Sequence, residues 1–479
     1  MLAALGKVSS KALFDFLKRP WFCRLWVLQE AYFASQASII LCGTRGLSWE
    51  QARTGLYIII TRFPAIIEFF GVLTIETSLC QALDAISTLT RMSVHEHGDL
   101  RSEFLYLMKA TSASQCVDKR DRVFALLSLI NTRQISMIPN YAVGAAQIFR
   151  ATVLNLLSRD HHPLFLQHCD LQHSEKCQPT WVPNFAQPNH SSLLPFFGSC
   201  GSLTKAPRVS DDILCTPGIH ITTIKEVHAG HNLDHRTMHF TDKLQVIRGL
   251  MSWLRGDDES ARRLISALLG GDTVHRYVPP RQDRHSEDTS WLHTDLLFEH
   301  ELPTMLAGKE RLQYQTFIEW CLYYTRGRSI FLDEKGIYGL SPSMTRPEDV
   351  VVQLIGTSTP MVLRIQRNST YQVVGPTYHP PNMYGESILG KLPSPFRAVL
   401  SDKSFNLYLD GDTGRTQLDD PRLGDLSEGW SRLVEHPHKD DCQIFVKGNI
   451  AKYGHKFDPR TTPAELAKRG VELQEYRLV

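Results

Sequence analysis

Residues 329–374 read SIFLDEKGIYGLSPSMTRPEDVVVQLIGTSTPMVLRIQRNSTYQVV, and the reading of this stretch decides the fold. Ser329 to Leu332, Val350 to Ile355, Met361 to Ile365 and Tyr371 to Val374 are short runs rich in β-formers. Asp333-Glu334-Lys335-Gly336, Gly356 to Pro360 and Gln366 to Thr370 supply turn residues between them. This spacing predicts an antiparallel meander or a small barrel, the centre of a β-rich domain over 326–479.

Upstream of it the periodicity changes. Gly271 to Pro303 is polar, carries Pro279 and Pro280 and a charged cluster, and is expected to be a surface insertion. Residues 240 to 270 read as helical, whereas His161 to about Pro217 is rich in Pro, Ser, His and Asn and marks a domain boundary. The organisation expected is therefore 1–160, a loop-rich linker and helical region over 161–325, and 326–479.

In the first region Lys11 to Phe33 is densely apolar. Trp21, Leu25, Leu28 and Tyr32 fall on one helical face and Phe22, Trp26 and Phe33 on the next, the pattern of a helix covered on most sides. Ala37 to Cys42 reads as a short buried strand ending at Gly43. Ser48 and Gln51 then form a capping box that opens a helix toward Thr61. Leu56 to Leu73 is the most apolar stretch, but Arg62, Pro64 and Glu68 interrupt it, so it predicts a buried helix and no membrane span. Asp118 is placed to cap a helix with apolar Val123, Leu126, Leu127 and Ile130, leaving Lys119, Arg120 and Arg122 outward. Gln147 to Leu157 reads as another helix.

The chain has 479 residues, 42% apolar and 21% charged, enough for about two to four domains with a substantial core. Its 52 Lys and Arg nearly balance 50 Asp and Glu without a long basic run, which gives no support for a nucleic-acid partner. Ten scattered cysteines lack the spacing of a disulfide scaffold and read as reduced thiols. With no signal-peptide pattern at the N-terminus, the expectation is a soluble cytoplasmic protein.

RPWFCRLWVLQEAYFASQASIILCGTRGLSW (19–49) is similar to a pattern of the fungal heterokaryon-incompatibility (HET) domain: Arg-Pro-Trp-Phe, aromatic-Val-x-Gln-Glu, Cys-Gly, Ser-Trp. CVDKRDRVFALLSLI (116–130) resembles that family's Asp-x-Arg-Asp helix. PNYAVGAAQIFRATVLNLL (139–157) resembles the Pro-x-Tyr segment and helix that follow it. PTWVPNF (179–185) resembles a segment common after the domain, and blocks within Gly336 to Glu386 resemble the C-terminal region of such proteins.

The resemblance carries Arg19, Pro20, Trp21, Trp26, Gln29, Glu30, Cys42, Gly43, Trp49, Asp118, Arg120 and Asp121 as motif residues, structural or signalling. It implies an α+β protein: a mostly helical remnant of an α/β, TIR-like HET domain, a mixed region and the β meander or barrel. The family's opening Ser-Tyr-x-Trp-Gly and Asp-x-x-Cys-Ile-Asn-Gln motifs do not occur, which reads as a truncation at the front. At Gly375-Pro376 and Tyr378-His379-Pro380-Pro381 the loop departs from the family's Gly-Glu and Tyr-Val-His-Gly. The function implied is non-self recognition and programmed cell death through a protein partner. The alternatives are a TIR-like NAD-cleaving enzyme and an inactive family member.

Individual residues offer no catalytic motif and call for no cofactor. Gln29 and Glu30 sit in an apolar helix, where a buried carboxylate would need Arg19, Arg24 or Arg122. Trp21, Trp26 and Trp49 read as core rather than a nucleotide pocket. His168, Cys169, His173 and Cys177, like His436, His438 and Cys442, match no zinc framework. Asp410, Asp412 and Gly414 suit a β-turn better than a calcium loop. Gly385 to Lys391 has phosphate-loop spacing, but Leu392 stands where Ser or Thr is required.

Overall fold

The computed structural model describes residues 10–35, 37–70, 82–83, 85–88, 104–130, 135–174, 178–187, 201–232, 238–252, 318–319, 321–400, 406–434, 443–448, 450–453 and 457–479. The chain divides into two compact units: Met1–Arg159 with Phe185–Pro188 and Asp234–Asp242, and Asp160–Asn184 with Asn189–Leu233 and Lys243–Val479.

The first unit holds α1 (Ser10–Leu17), α2 (Pro20–Cys23), α3 (Val27–Tyr32), the hairpin β1 (Ile39–Cys42) and β2 (Arg45–Ser48), α4 (Trp49–Phe70), α5 (Phe104–Ala110), α6 (Asp121–Leu127) and most of α7 (Ala145–Asp160). The single helix expected over the Trp-rich opening is instead three short ones. Pro20 starts a new helix, since its ring suits a first turn. Arg24 is extended and pairs in parallel with Gln115. The Leu25 amide donates to the Gln115 carbonyl at 2.9 Å and the Gln115 amide donates to the Cys23 carbonyl, so a long-range backbone pairing takes the bonds a continuous helix would have used.

The capping box is formed reciprocally: the Gln51 amide donates to Ser48 Oγ at 3.2 Å and the Ser48 amide to Gln51 Oε1 at 3.3 Å. The helix it opens runs through Pro64 to Phe70. The strand expected to be buried is not, for Ile39 and Leu41 are 64% and 74% exposed. Phe104 and Phe149 pack edge-on against Phe185, with ring centres 5.7 and 5.5 Å apart.

The second unit contains β3 (Arg208–Ser210), β4 (Ile213–Ala229), most of α8 (Phe240–Met251), β5 (Arg328–Asp333), β6 (Tyr338–Pro342), β7 (Val350–Leu354), β8 (Met361–Ile365), β9 (Tyr371–Pro376), α9 (Glu386–Leu389), β10 (Phe396–Leu400), β11 (Asn406–Asp410), β12 (Thr416–Gln417), β13 (Ser431–Val434), β14 (Gln443–Lys447), β15 (Ile450–Tyr453), α10 (Pro463–Lys468) and β16 (Gln474–Leu478). The expected strands are present, and their sheet closes. β7 pairs with β8 and β8 with β9, all antiparallel; β9 meets β16 in parallel; β16 and β7 both pair with β4. The result is a five-stranded barrel, β4-β7-β8-β9-β16, whose closing strands come from outside 329–374.

Alternation along β16 identifies the barrel's inside. Glu475 and Arg477 are exposed, while Tyr476 and Leu478 are buried. Their antiparallel partners Thr216 and Leu214 share that inner face. A Cβ on Gly218 would lie 2.8 Å from the Gln353 carbonyl and 3.1 Å from the Tyr476 ring, so glycine is required where β4 passes β7 and β16. On the opposite face Ile221, Ile224, Phe331, Val351, Val362 and Val374 form one core cluster, which joins the β5-β6 hairpin to the barrel. The expected insertion at 271–303 lies outside the described residues, as does the part of the 240–270 helical reading beyond 252. Among the described residues, no helix is long and apolar enough to cross a membrane.

Candidate functional site

Three of the motif residues, Trp26, Gln29 and Asp121, meet in the first unit where α3 meets α6. Trp26 Nε1 donates to Asp121 Oδ2 at 3.1 Å, and Gln29 Nε2 donates to the Ala125 carbonyl at 2.7 Å. The other Asp121 oxygen accepts from Tyr141 at 2.7 Å. That hydrogen bond holds the phenol in its neutral form and pushes its pKa up to about 12. Residues nearly a hundred positions apart are thus tied by one tryptophan, one amide and one carboxylate.

Asp118 works beside this junction, but not as the helix cap expected of it. The helix begins three residues later, and Asp118 Oδ1 accepts from the Arg120 amide and from Arg120 Nε, both at 2.9 Å, while Oδ2 accepts from Nη2 at 2.6 Å. These bonds hold the Asp118 carboxyl below its ordinary range. The fork leaves Nη1 free to donate to the Tyr141 and Val143 carbonyls. Arg122, expected outward, is buried and donates to the Thr111 and Ser114 carbonyls; packing overrides charge because the guanidinium finds backbone acceptors.

Among the described residues the same device occurs twice more, in the second unit, and sequence reading passed over both. Asp420-Pro421-Arg422 and Asp458-Pro459-Arg460 repeat the fork, with Asp Oδ1 accepting from the Arg amide at 2.9 Å in each. Arg422 then grips both ends of the α9 segment, donating to the Tyr384 and Gly390 carbonyls at 2.7 Å. Arg460 holds the Gly424 carbonyl at 2.8 Å and Asp419 at 2.7 Å. The available signal was the recurrence of Asp-x-Arg. The grip on α9 also accounts for the phosphate-loop spacing at Gly385 to Lys391: the amides of Ile388, Leu389 and Gly390 are spent inside the turn and do not point at a ligand.

Other expected partners do not meet. Glu30 is exposed and, among the described residues, makes no ion pair, so the buried charge pair with Arg19, Arg24 or Arg122 does not form. Arg19 and Pro20 are exposed at the start of α2. Trp21 packs edge-on against Phe22 at 5.1 Å. Cys42 ends β1 opposite Arg45, Gly43 takes φ +62° in the Gly43-Thr44 turn that follows, and Trp49 is buried as its amide donates to the Ser38 carbonyl at 2.8 Å.

Two buried charge clusters brace the second unit. Asp349 holds Arg364 through two 2.9 Å bonds. His379, in the loop that departs from the family pattern, lies 3.2 Å from Asp333 Oδ2, 2.8 Å from Asn382 Nδ2, and stacks on Phe331. Burial opposes the Asp333 charge, but bonds from His379 and the Ile337 amide outweigh it and lower its pKa.

Thr180, in the Trp-Val-Pro segment, receives the Val373 amide at 2.8 Å and donates through its own amide to the Val479 carbonyl at 3.0 Å, latching the barrel's closing strand. Asp410 accepts from Asp412 and Thr413 in the turn before β12. Among the described residues, no group of three or more His, Cys, Asp or Glu is placed to hold a metal. Burial pushes the Cys169 thiol well up; Cys177, His436, His438 and Cys442 lie outside the described residues.

Residues 299–391, 93 of the 479, match the Het-6 beta-barrel domain, a domain of fungal HET-type proteins. The match takes in β5 to β9 and α9; β4 and β16, which close the barrel, fall outside it. No curated protein and no solved structure matches the chain. The Het-6 barrel relates this protein to heterokaryon incompatibility.

Proposed function

We propose that this protein acts in fungal non-self recognition and programmed cell death by binding a protein partner. The observation that carries the reading is the Het-6 barrel match at 299–391. Supporting it, the motif residues Trp26 and Gln29 reach the helix that carries the motif residue Asp121, Trp26 bonding to Asp121 itself and Gln29 to the Ala125 carbonyl. The alternative, a TIR-like NAD-cleaving enzyme, has no observation behind it, and Glu30 stands exposed on α3.

The test is expression of the chain in a fungal host, scored for viability and for the incompatibility reaction at colony contact. The wild-type chain is expected to alter one of them, and Trp26→Ala with Asp121→Ala to abolish the effect at equal protein level. An unchanged host with well-expressed wild-type protein overturns the proposal. Host-independent loss of NAD by the purified chain would replace it with the enzymatic one.

A further inference from the structure

Among the described residues, no strand pairs with the outer edge of β1 in the β1-β2 hairpin. The Trp49 amide bonds to the Ser38 carbonyl, so residues 38 and 49 form a hydrogen-bonded pair and, by the alternation of an antiparallel ladder, so do 40 with 47 and 42 with 45. The backbone groups of Ile39 and Leu41 therefore point away from β2, and among the described residues they have no backbone partner. Their side chains are 64% and 74% exposed and lie over Gly46, where a Cβ would be 3.1 and 3.2 Å from them. Exposed edges are ordinarily blunted by Lys, Pro or a bulge. From Ala37 to Thr44 there is none of these and no charge.

We propose that β1 pairs with the β1 of a second copy of this chain. The register follows from which groups are free. Because the two outward residues are 39 and 41, an antiparallel dyad on Ile40 sets Ile39 against the partner's Leu41 and Leu41 against the partner's Ile39. Both contacts are then hydrogen-bonded pairs, and four apolar side chains meet on one face. No charge opposes a like charge in this register. The outer edge of β2 is a poorer match: its outward residues are Gly46 and Ser48, which offer little apolar surface, the Ser48 amide already donates to Gln51 Oε1, and Arg45 stands beside them. Four strand residues per copy make a contact well below the standard interface size, so the dimer is reversible and forms at high concentration. The inference does not depend on the incompatibility reading.

Sedimentation equilibrium of the full chain, taken to high micromolar concentration, is expected to show the average mass rising from 54.4 kDa toward twice that value. Leu41→Lys, at an exposed position that folding does not use, is expected to hold the mass at the monomer value with an unchanged circular dichroism spectrum. A register test accompanies it: Ser38 faces the partner's Cys42, so Ser38→Cys is expected to form a covalent dimer on mild oxidation and Ser38→Cys with Cys42→Ser is not. A monomer at every concentration, a dimer indifferent to Leu41→Lys, or cross-linking that survives loss of Cys42 overturns the proposal.

Discussion

The barrel and the α3-α6 junction hold distant segments by different means. The barrel brings residues 213–229, 350–376 and 474–478 together through ladder bonds and a buried inner face, with Thr180 latching the last strand. The junction joins residues 26–29 to 121–125 through two side-chain bonds at partly exposed positions, and a third ties Tyr141 to the same Asp121 carboxylate. A closed ladder loses its topology when one strand leaves, because two neighbours become edges. Side-chain bonds near solvent are replaced by water at modest cost. The barrel is accordingly the unit that fails abruptly, and the junction the one that can be weakened by degrees.

The largest effect expected is from deletion of residues 474–479. Amides of β4 and β9 that are protected in the intact chain should exchange at near-unfolded rates by mass spectrometry, while those of α6 and α7 keep their protection. Continued protection of β4 would mean that the ring does not need its last strand.

Next comes Asp349→Ala, which takes the buried carboxylate from the partly buried Arg364 and leaves it the Met344 carbonyl, and should cost about 3 kcal/mol in urea unfolding. Replacing both partners by apolar residues should return most of it. Trp26→Phe keeps an aromatic side chain, smaller than the indole and without the hydrogen bond to Asp121, at a partly exposed position, so it should cost only about 1 kcal/mol and leave the barrel's exchange untouched. A loss as large as that of Asp349→Ala would erase the contrast between the units.

The smallest effect is a pH dependence. Asp333 has a folded pKa below its ordinary 3.8, so its contribution is complete above that value and is lost as pH falls through the lower folded value. Asp333→Asn should flatten the acid limb of a stability profile below about pH 4. An acid limb identical to wild type would show that the carboxylate contributes nothing in the folded state.

Much of this architecture could be read from local pattern. The runs from Ser329 to Val374 became β5, β7, β8 and β9 because alternating β-formers between turn residues leave little choice. Ser48 and Gln51 capped α4 because both partners lie within one turn. The opening helix was misread because its apolar spacing is silent about Gln115, ninety residues on, which breaks it at Arg24. Arg122 was misread because charge alone cannot reveal the Thr111 and Ser114 carbonyls waiting inside. Asp-x-Arg recurs five times in the sequence, at 99, 118, 234, 420 and 458, and the repeat alone does not show which copies fork or what each Nη1 grips.

From the sequence alone came the strand runs, the capped helix and the order of the motif blocks, since each depends on neighbours within a few residues. Which strands close the ring, which face of β16 is inner, and which arginine is buried depend on partners far along the chain. Only the tertiary structure supplies those, because hydrogen-bond partners and burial are properties of proximity in space.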